Sequence, residues 1–348
     1  MTHATINLAL DPGFGGFKTG LILNDELATH ITKAVVGAGA LGNDTLSTGL
    51  GRGKAPDKPH AVRFDQVNYL VGENVHRHTR PIERLDFSRL SDGPELKALV
   101  YAALYKALGP GEHHINLLAG LPVQVLQDTS LAASARAQLR GWLAGEHRYS
   151  VDGDLLNVTA HQVKAMPQPL GSFFYWGMDT GGQWIQPDDP QAKFAIGDLG
   201  FNTLDCFVIE GARVNDRYSG GDTLGMRRAC SLLKSTIREQ YGVTISLQEA
   251  DSFLRDSRPI LHHSQGSTDL APLVNQALDN AFGGVAAYLE EIWGNGKQFR
   301  RLIFTGGGAE ALKNRLTALY PHAIILPDAQ TANAGGLAKF AQRKQVFK

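Results

Sequence analysis

Apolar and polar positions alternate with a period of two over the first forty residues, which predicts strands at 6–11, 16–23 and 27–36. Asn24–Asp25 supplies the turn between the last two. Residues 37–60 are rich in Gly, Asp and Pro and read as a long surface loop, and 65–75 supports at most a short strand pair. The segment "PELKALVYAALYKAL" (94–108) changes to helical spacing, with Pro94 where a helix start tolerates it. "HINLLAGLP" (114–122) is a buried strand. Residues 128–145 form a second helix, with Asp128 or Thr129 as cap and a glycine exit.

The pattern then begins again. Residues 193–200, 203–211 and 212–221 predict a second three-strand meander, and helical stretches follow at 222–241, 247–255 and 269–293. A buried strand in "RRLIFTGGGAE" (300–310) leads into a helix near 309–319, a strand at 323–327 and a terminal helix in "NAGGLAKFAQRKQ". In both halves the first strand ends in an aspartate, Asp11 and Asp198. This duplication is one of topology rather than sequence, and it predicts two α/β domains facing each other across a cleft. The expected division is 1–190 plus 331–348 for the first domain and 191–330 for the second, with a hinge near 185–193, where Pro187 and Pro190 bracket two aspartates.

Composition narrows the function classes. Lys+Arg and Asp+Glu both number 34 in 348 residues, so no net field points to direct nucleic-acid or membrane binding. Two cysteines, Cys206 and Cys230, fit a reducing compartment and exclude a disulfide scaffold. The start "MTHATINLALD" lacks the pattern of a signal peptide, and no apolar run reaches the ~20 residues of a membrane span. A cytoplasmic protein is expected. The 12 histidines show no metal-site spacing.

The chemistry concentrates in two turns. In "LDPGFGGFK" (10–18) and "GDLGFNTLD" (197–205) a carboxylate at a strand end is followed two residues later by glycine. Glycine lets backbone approach a ligand closely, and consecutive N–H groups can form a concave anion site. Gly13, Phe14, Gly15, Gly16 and Lys18 in the first turn, with Gly200, Phe201, Asn202 and Thr203 in the second, are the candidate phosphate-binding residues. Lys18 would act as a point charge on phosphate. Asp11 and Asp198 would face Mg²⁺ through its waters. Each turn alone is equally a glycine-stabilised hairpin with a capping Asp; two at matching places favour the functional reading. "IFTGGGAEALKN" (303–314) puts Gly306, Gly307, Gly308 and Ala309 between a buried strand and a helix, where bare backbone can lie against a nucleoside.

Together, "LALDPGFGGFK", "IGDLGFNTLD" and "FTGGGAEAL" resemble the phosphate 1, phosphate 2 and adenosine motifs of the actin/heat-shock chaperone/sugar kinase superfamily. With "VKAMPQPLGSFF" (163–174) and "ANAGGLAKFA" (332–341), the chain is most similar to prokaryotic actin-like ATPases of the plasmid-partition ParM/StbA type and their archaeal relatives. The resemblance implies an α/β, actin-like (ribonuclease H-like) fold of duplicated domains flanking a nucleotide cleft. It further implies ATP and Mg²⁺ as cofactors, with Asp11 and Asp198 on the metal side and Lys18 on the phosphates. Gln168 falls where the family orients the attacking water, and Gly221, in "YSGGDTLG", where a glycine loop borders the nucleotide. Capping of its own helix is the alternative for Gln168. Pro12, Phe14, Phe201 and Asn202 depart from the small or hydroxyl residues common in such turns and bear on the hydrolysis rate.

Three functions stay open. The first is an ATPase that polymerises with itself into filaments, for plasmid or DNA segregation through a DNA-binding adaptor or for a related cytoskeletal role. The others are a small-molecule kinase on the same fold and a nucleotide-gated scaffold with negligible hydrolysis. "GAGALG" (37–42) has the dinucleotide-binding glycine spacing but no helical period after it, so a loop is expected. "FFYW" (173–176) reads as core packing, and the basic tail "KFAQRKQVFK" as a solvated terminal helix face.

Overall fold

The computed structural model describes residues 4–41, 58–82, 93–123 and 129–348. Most of the expected 37–60 loop and the cap at Asp128 lie outside these residues. The chain divides into two compact units, residues 1–185 with 333–348, and 186–332.

The first unit is built on a nine-stranded sheet of order β3-β2-β1-β7-β9-β8-β5-β6-β4. The strands are β1 (Ile6–Pro12), β2 (Gly16–Leu23), β3 (Glu26–Lys33), β4 (Val36–Ala38), β5 (His60–Phe64), β6 (Val67–Val71), β7 (Gly111–Leu121), β8 (Gly145–Val151) and β9 (Asp154–Pro167). Its helices are α1 (Pro94–Leu108), α2 (Thr129–Leu143), α3 (Gln168–Gly177) and α9 (Ala332–Ala341) at the end of the chain. β1 pairs antiparallel with β2 and parallel with β7, and β7 pairs parallel with β9. Leu8, Leu10, Leu99, Leu117 and Val158 are among the side chains of its core.

The second unit repeats this plan. Its main sheet has the order β12-β11-β10-β16-β17, with β13 also pairing β11. The strands are β10 (Phe194–Leu199), β11 (Leu204–Glu210), β12 (Arg213–Val214), β13 (Gly220–Asp222), β16 (Arg301–Thr305) and β17 (Ile324–Ile325). A separate hairpin joins β14 (Ile260–His263) and β15 (Gly266–Asp269). The helices are α4 (Arg227–Tyr241), α5 (Leu247–Arg255), α6 (Ala271–Trp293), α7 (Gly307–Ala311) and α8 (Lys313–Leu319). α6 buries Val274, Leu278, Ala281, Val285 and Leu289 at helical spacing and ends on the fully buried Trp293, whose Nε1 donates to Tyr218 O at 2.9 Å. In both units an antiparallel meander is followed by two parallel strands, the expected duplicated α/β topology. Near the start of the second unit Asp188 is buried and accepts from Arg300 Nε at 2.5 Å and Arg301 Nε at 2.7 Å, tying the entering chain to the foot of β16.

Three expectations need correction, and two hairpins went unpredicted. The third strand ends at Lys33, because Val35 N turns back to Lys33 O at 2.8 Å and starts the separate β4. The helix expected over 222–241 begins at Arg227, since Gly220–Asp222 pairs with β11 first. The single helix near 309–319 is two, α7 and α8. Residues 145–167 form a long hairpin, β8–β9, turning at Asp152 (φ 55°) and Gly153 (φ 95°). The β14–β15 hairpin also went unpredicted. Gly37 and Ala38 of "GAGALG" belong to β4. Phe173 and Phe174 are buried, as core packing requires.

Candidate functional site

In the first unit the ladder register places Lys18 directly opposite Asp11 on adjacent strands. Cross-strand partners lie on one face of a sheet, so ammonium and carboxylate meet there at 3.2 Å, Lys18 Nζ to Asp11 Oδ2. Gly13 N donates to Asp11 O at 3.0 Å and folds the turn back on the strand end. A Cβ on Gly13 would lie 2.6 Å from Lys18 Nζ and 2.9 Å from Gly16 O, so bare backbone here makes room for the ammonium. The other carboxylate oxygen, Oδ1, accepts from Gln168 Nε2 at 2.7 Å. Gln168 is the first residue of α3 and is buried, and its Cγ rests on Gly120 of β7, where a Cβ would come within 2.7 Å. Two side chains, one from the next strand and one 157 residues away, thus converge on buried Asp11, and Gln168 is tied to that carboxylate rather than to its own helix.

In the second unit Gly221, Asp205, Asp198 and Thr305 stand in register across β13, β11, β10 and β16. Asp198 therefore has a second carboxylate, Asp205, as its antiparallel neighbour, ~5 Å away between Cα atoms. Asp205 is buried and accepts from Thr203 Oγ1 at 3.1 Å, while Gly200 N donates to Thr203 O at 2.9 Å and closes the turn. The glycine loop before α4 packs on this turn: Gly225 N donates to Asn202 O, Met226 N to Gly200 O and Arg227 N to Phe201 O. Burial, reinforced by the charge of Asp205, pushes the Cys206 thiol well above its ordinary range, so this cysteine is inert packing.

The strand–GGG–helix lies on the other side of Asp198. Gly306 has φ 86°, and a Cβ there would stand 2.3 Å from Leu199 O and 2.6 Å from Asp198 Oδ1. Only glycine fits this crossing of backbone over carboxylate. Gly306 N and Thr305 Oγ1 both donate to Ala329 O, at 2.9 and 3.0 Å, and fix the strand end. Gly306, Gly307, Gly308 and Ala309 thus sit together beside Asp198, whereas Gly221 stands two strands away on the opposite side.

Two residues with chemistry at this place were missed in the sequence. Asp205 was visible in "NTLD", two positions after Thr203, and only the ladder makes it the neighbour of Asp198. Arg255, the last residue of α5, lays its guanidinium against Gly307, where a Cβ would meet its terminal nitrogens at 3.2 Å. Burial opposes its charge, but the hydrogen bond that Arg255 Nε donates to Asp251 Oδ2 at 3.0 Å and the charges around it, that of Asp251 first, outweigh burial and raise its pKa. No local pattern announces a contact between residues 255 and 307.

Among the described residues no group of three or more His, Cys, Asp or Glu side chains is placed to hold a metal ion. The donors at the two turns, one or two carboxylates each, suit a cation that keeps most of its water, as Mg²⁺ does. Among the described residues no helix is long and apolar enough to cross a membrane.

The family of actin-like proteins, N-terminal domain, matches residues 9–171, and the archaeal actin homologue MreB-like C-terminal family matches 196–318. It belongs to the actin-like proteins. No curated protein matches the chain. Solved structures share its fold across almost its whole length. ParM in a 15-stranded filament from Clostridium botulinum superposes with TM-score 0.75 at 19% identity, covering 97% of this chain and 99% of that one. An archaeal actin homologue in complex with ADP gives TM-score 0.71 at 18% identity, with coverage of 97% and 99%. ParM from Bacillus thuringiensis with ATP gives 0.66 at 14% identity and 97% of each chain. This chain therefore has the two-domain actin-like fold.

Proposed function

We propose that this actin-like protein binds ATP with Mg²⁺ through the turns at Asp11 and Asp198, hydrolyses it, and assembles with itself into filaments. The observation that carries the proposal is the recurrence of one device, an aspartate ending the central strand before a glycine turn, at the same topological place in both units. The fold neighbours solved with ADP or ATP, and the one seen as a filament, support it. Segregation of plasmid or other DNA in the cytoplasm, through a DNA-binding adaptor protein, is the cellular role that fits a chain with no net charge of its own.

The residues divide the work. Mg²⁺ bound with ATP supplies charge neutralisation at the phosphates. Lys18 adds a fixed positive charge beside the bare backbone of the first turn. Asp11 and Asp198, with Asp205 behind the latter, are the oxygen donors available to the cation's waters. Gln168 commits its Nε2 to Asp11, so its Oε1 is the acceptor it can offer to a water; an amide orients that water without removing its proton. Gly306–Gly308 and Arg255 offer bare backbone and a flat cation for a nucleoside.

Light scattering and pelleting at micromolar protein test assembly: ATP–Mg²⁺ should raise both above the ADP level, and equal signals would refute it. A second reading, a nucleotide-gated scaffold, draws support from Asp11, whose two oxygens are engaged by Lys18 and Gln168. Steady-state phosphate release separates the two. Equal, near-zero rates for the wild type and Asp198→Ala with intact ATP binding would favour the scaffold.

A further inference from the structure

We infer that Lys339, on the C-terminal helix α9, is a positioning residue for Gln168, and that α9 sets the geometry of the cluster on Asp11 from behind. The inference rests on the reading of Gln168 as the residue that orients water. α3 is only ten residues long, with Gln168 as its first residue. Its far end is held by Lys339, whose Nζ donates to Tyr175 O at 2.9 Å and to Met178 O at 2.8 Å and stands 4.7 Å from the Tyr175 ring. These carbonyls belong to the last turn and exit of α3, where a cation satisfies orphan acceptors and opposes the negative end of the helix.

Along the rest of α3 the two helices touch backbone to backbone. A Cβ on Gly336 would lie 1.7 Å from Gly171 O, and one on Gly171 would lie 2.2 Å from Asn333 O. Ser172 Oγ donates to Asn333 Oδ1 at 2.6 Å, and the Phe174 and Phe340 rings stack at 4.3 Å. α9 also presses on β2, the strand that carries Lys18: a Cβ on Gly20 would stand 2.4 Å from Ala334 O. One helix therefore bears on the elements that supply both partners of Asp11. Contacts this close transmit a shift rather than absorb it. Gln168 lies about 10 Å along α3 from the Tyr175 carbonyl that Lys339 holds, at 1.5 Å per residue. α9 is thus the lever through which anything bound to the chain's C-terminal segment would tune hydrolysis.

The test uses the full chain with Lys339→Met, Lys339→Arg and the milder Ser172→Ala. Lys339→Met should accelerate hydrogen exchange in residues 168–177. It should also lower kcat for phosphate release roughly 10- to 100-fold, since displacing a catalytic group by an ångström has that effect. ATP affinity should stay within about twofold, because ground-state binding is untouched. Lys339→Arg, which still donates, should recover most of kcat, and Ser172→Ala should shift exchange and kcat the same way by less. Unchanged exchange in 168–177 would overturn the proposal, as would faster exchange with unchanged kcat, or a loss that Lys339→Arg does not rescue. If Lys339→Met does not fold, Ser172→Ala alone decides by the same two readouts. A wild type that binds no ATP would refute the proposed function, while hydrogen exchange would still decide whether Lys339 anchors α3.

Discussion

The two aspartate turns occupy the same place in two sheets of one topology, yet their surroundings differ in charge. Asp11 faces an ammonium and an amide, Lys18 and Gln168, and is closed in by both. Asp198 stands beside another carboxylate, Asp205, under a glycine backbone that leaves it no bulk. A duplicated fold thus yields two unlike turns. On the function proposed above, Lys18 and Gln168 give the first turn groups for phosphate oxygens and a water, and Asp205 gives the second a further carboxylate beside the cation. The neighbours of each aspartate, rather than the turn itself, distinguish the two places.

Removing each carboxylate in turn tests that contrast most severely. Asp198→Ala should lower phosphate release by roughly 10²- to 10³-fold, the scale for removing one electrostatic stabiliser, and raise the Mg²⁺ concentration needed for half-maximal rate. Asp11→Ala should lower the rate without moving the Mg²⁺ requirement as far. Equal displacement of the Mg²⁺ titration by the two variants would erase the distinction drawn between the turns.

The glycines sharpen it in stability. Gly306→Ala sets a methyl against Leu199 O with φ at 86° and should cost about 3 kcal/mol or more in urea unfolding of the chain. Gly13→Ala meets first the movable end of Lys18 and then Gly16 O, and should cost roughly 1 kcal/mol while weakening ATP binding. Comparable costs would show that the first turn is as rigid as the second.

The smallest effect concerns the second unit's frame rather than its site. The Arg301 hydrogen bond, with Arg300 assisting, holds the Asp188 carboxyl below its ordinary 3.8 despite burial. A carboxyl depressed in the native state stabilises above its unfolded pKa and loses that stabilisation as pH falls through the native value. Asp188→Asn should cost about 1–2 kcal/mol at pH 7, discounted because both arginines are partly exposed. The gap to wild type should close as pH falls below the ordinary 3.8, and a gap independent of pH would contradict the assignment.

Much of this was legible in local pattern. The span 94–108 carried helical spacing and a start-tolerated proline, and α1 has those bounds. Both meanders and both strand-end aspartates followed from alternation and turn chemistry. The β8–β9 hairpin went unpredicted, although its turn Asp152–Gly153 lies between the alternating Tyr149, Val151 and Leu156, Val158. What could not be read locally are contacts made across the chain. Lys339 looked like one charge of a solvated face, yet its ammonium reaches carbonyls 161 and 164 residues away, and burial lowers its pKa against the pull of Asp179. The tail beyond it packs rather than floats: Lys164 Nζ and Gln162 Nε2 hold Val346 O and Phe347 O. Gly336 against Gly171 and Arg255 against Gly307 are likewise close approaches with no periodicity to announce them.

Electron microscopy of negatively stained protein, with and without ATP–Mg²⁺, tests the central claim most directly. The account predicts filaments with ATP–Mg²⁺ that are absent without nucleotide and absent from Asp198→Ala under the same conditions. Particles that remain single with ATP–Mg²⁺, or filaments that form equally without it, would contradict it.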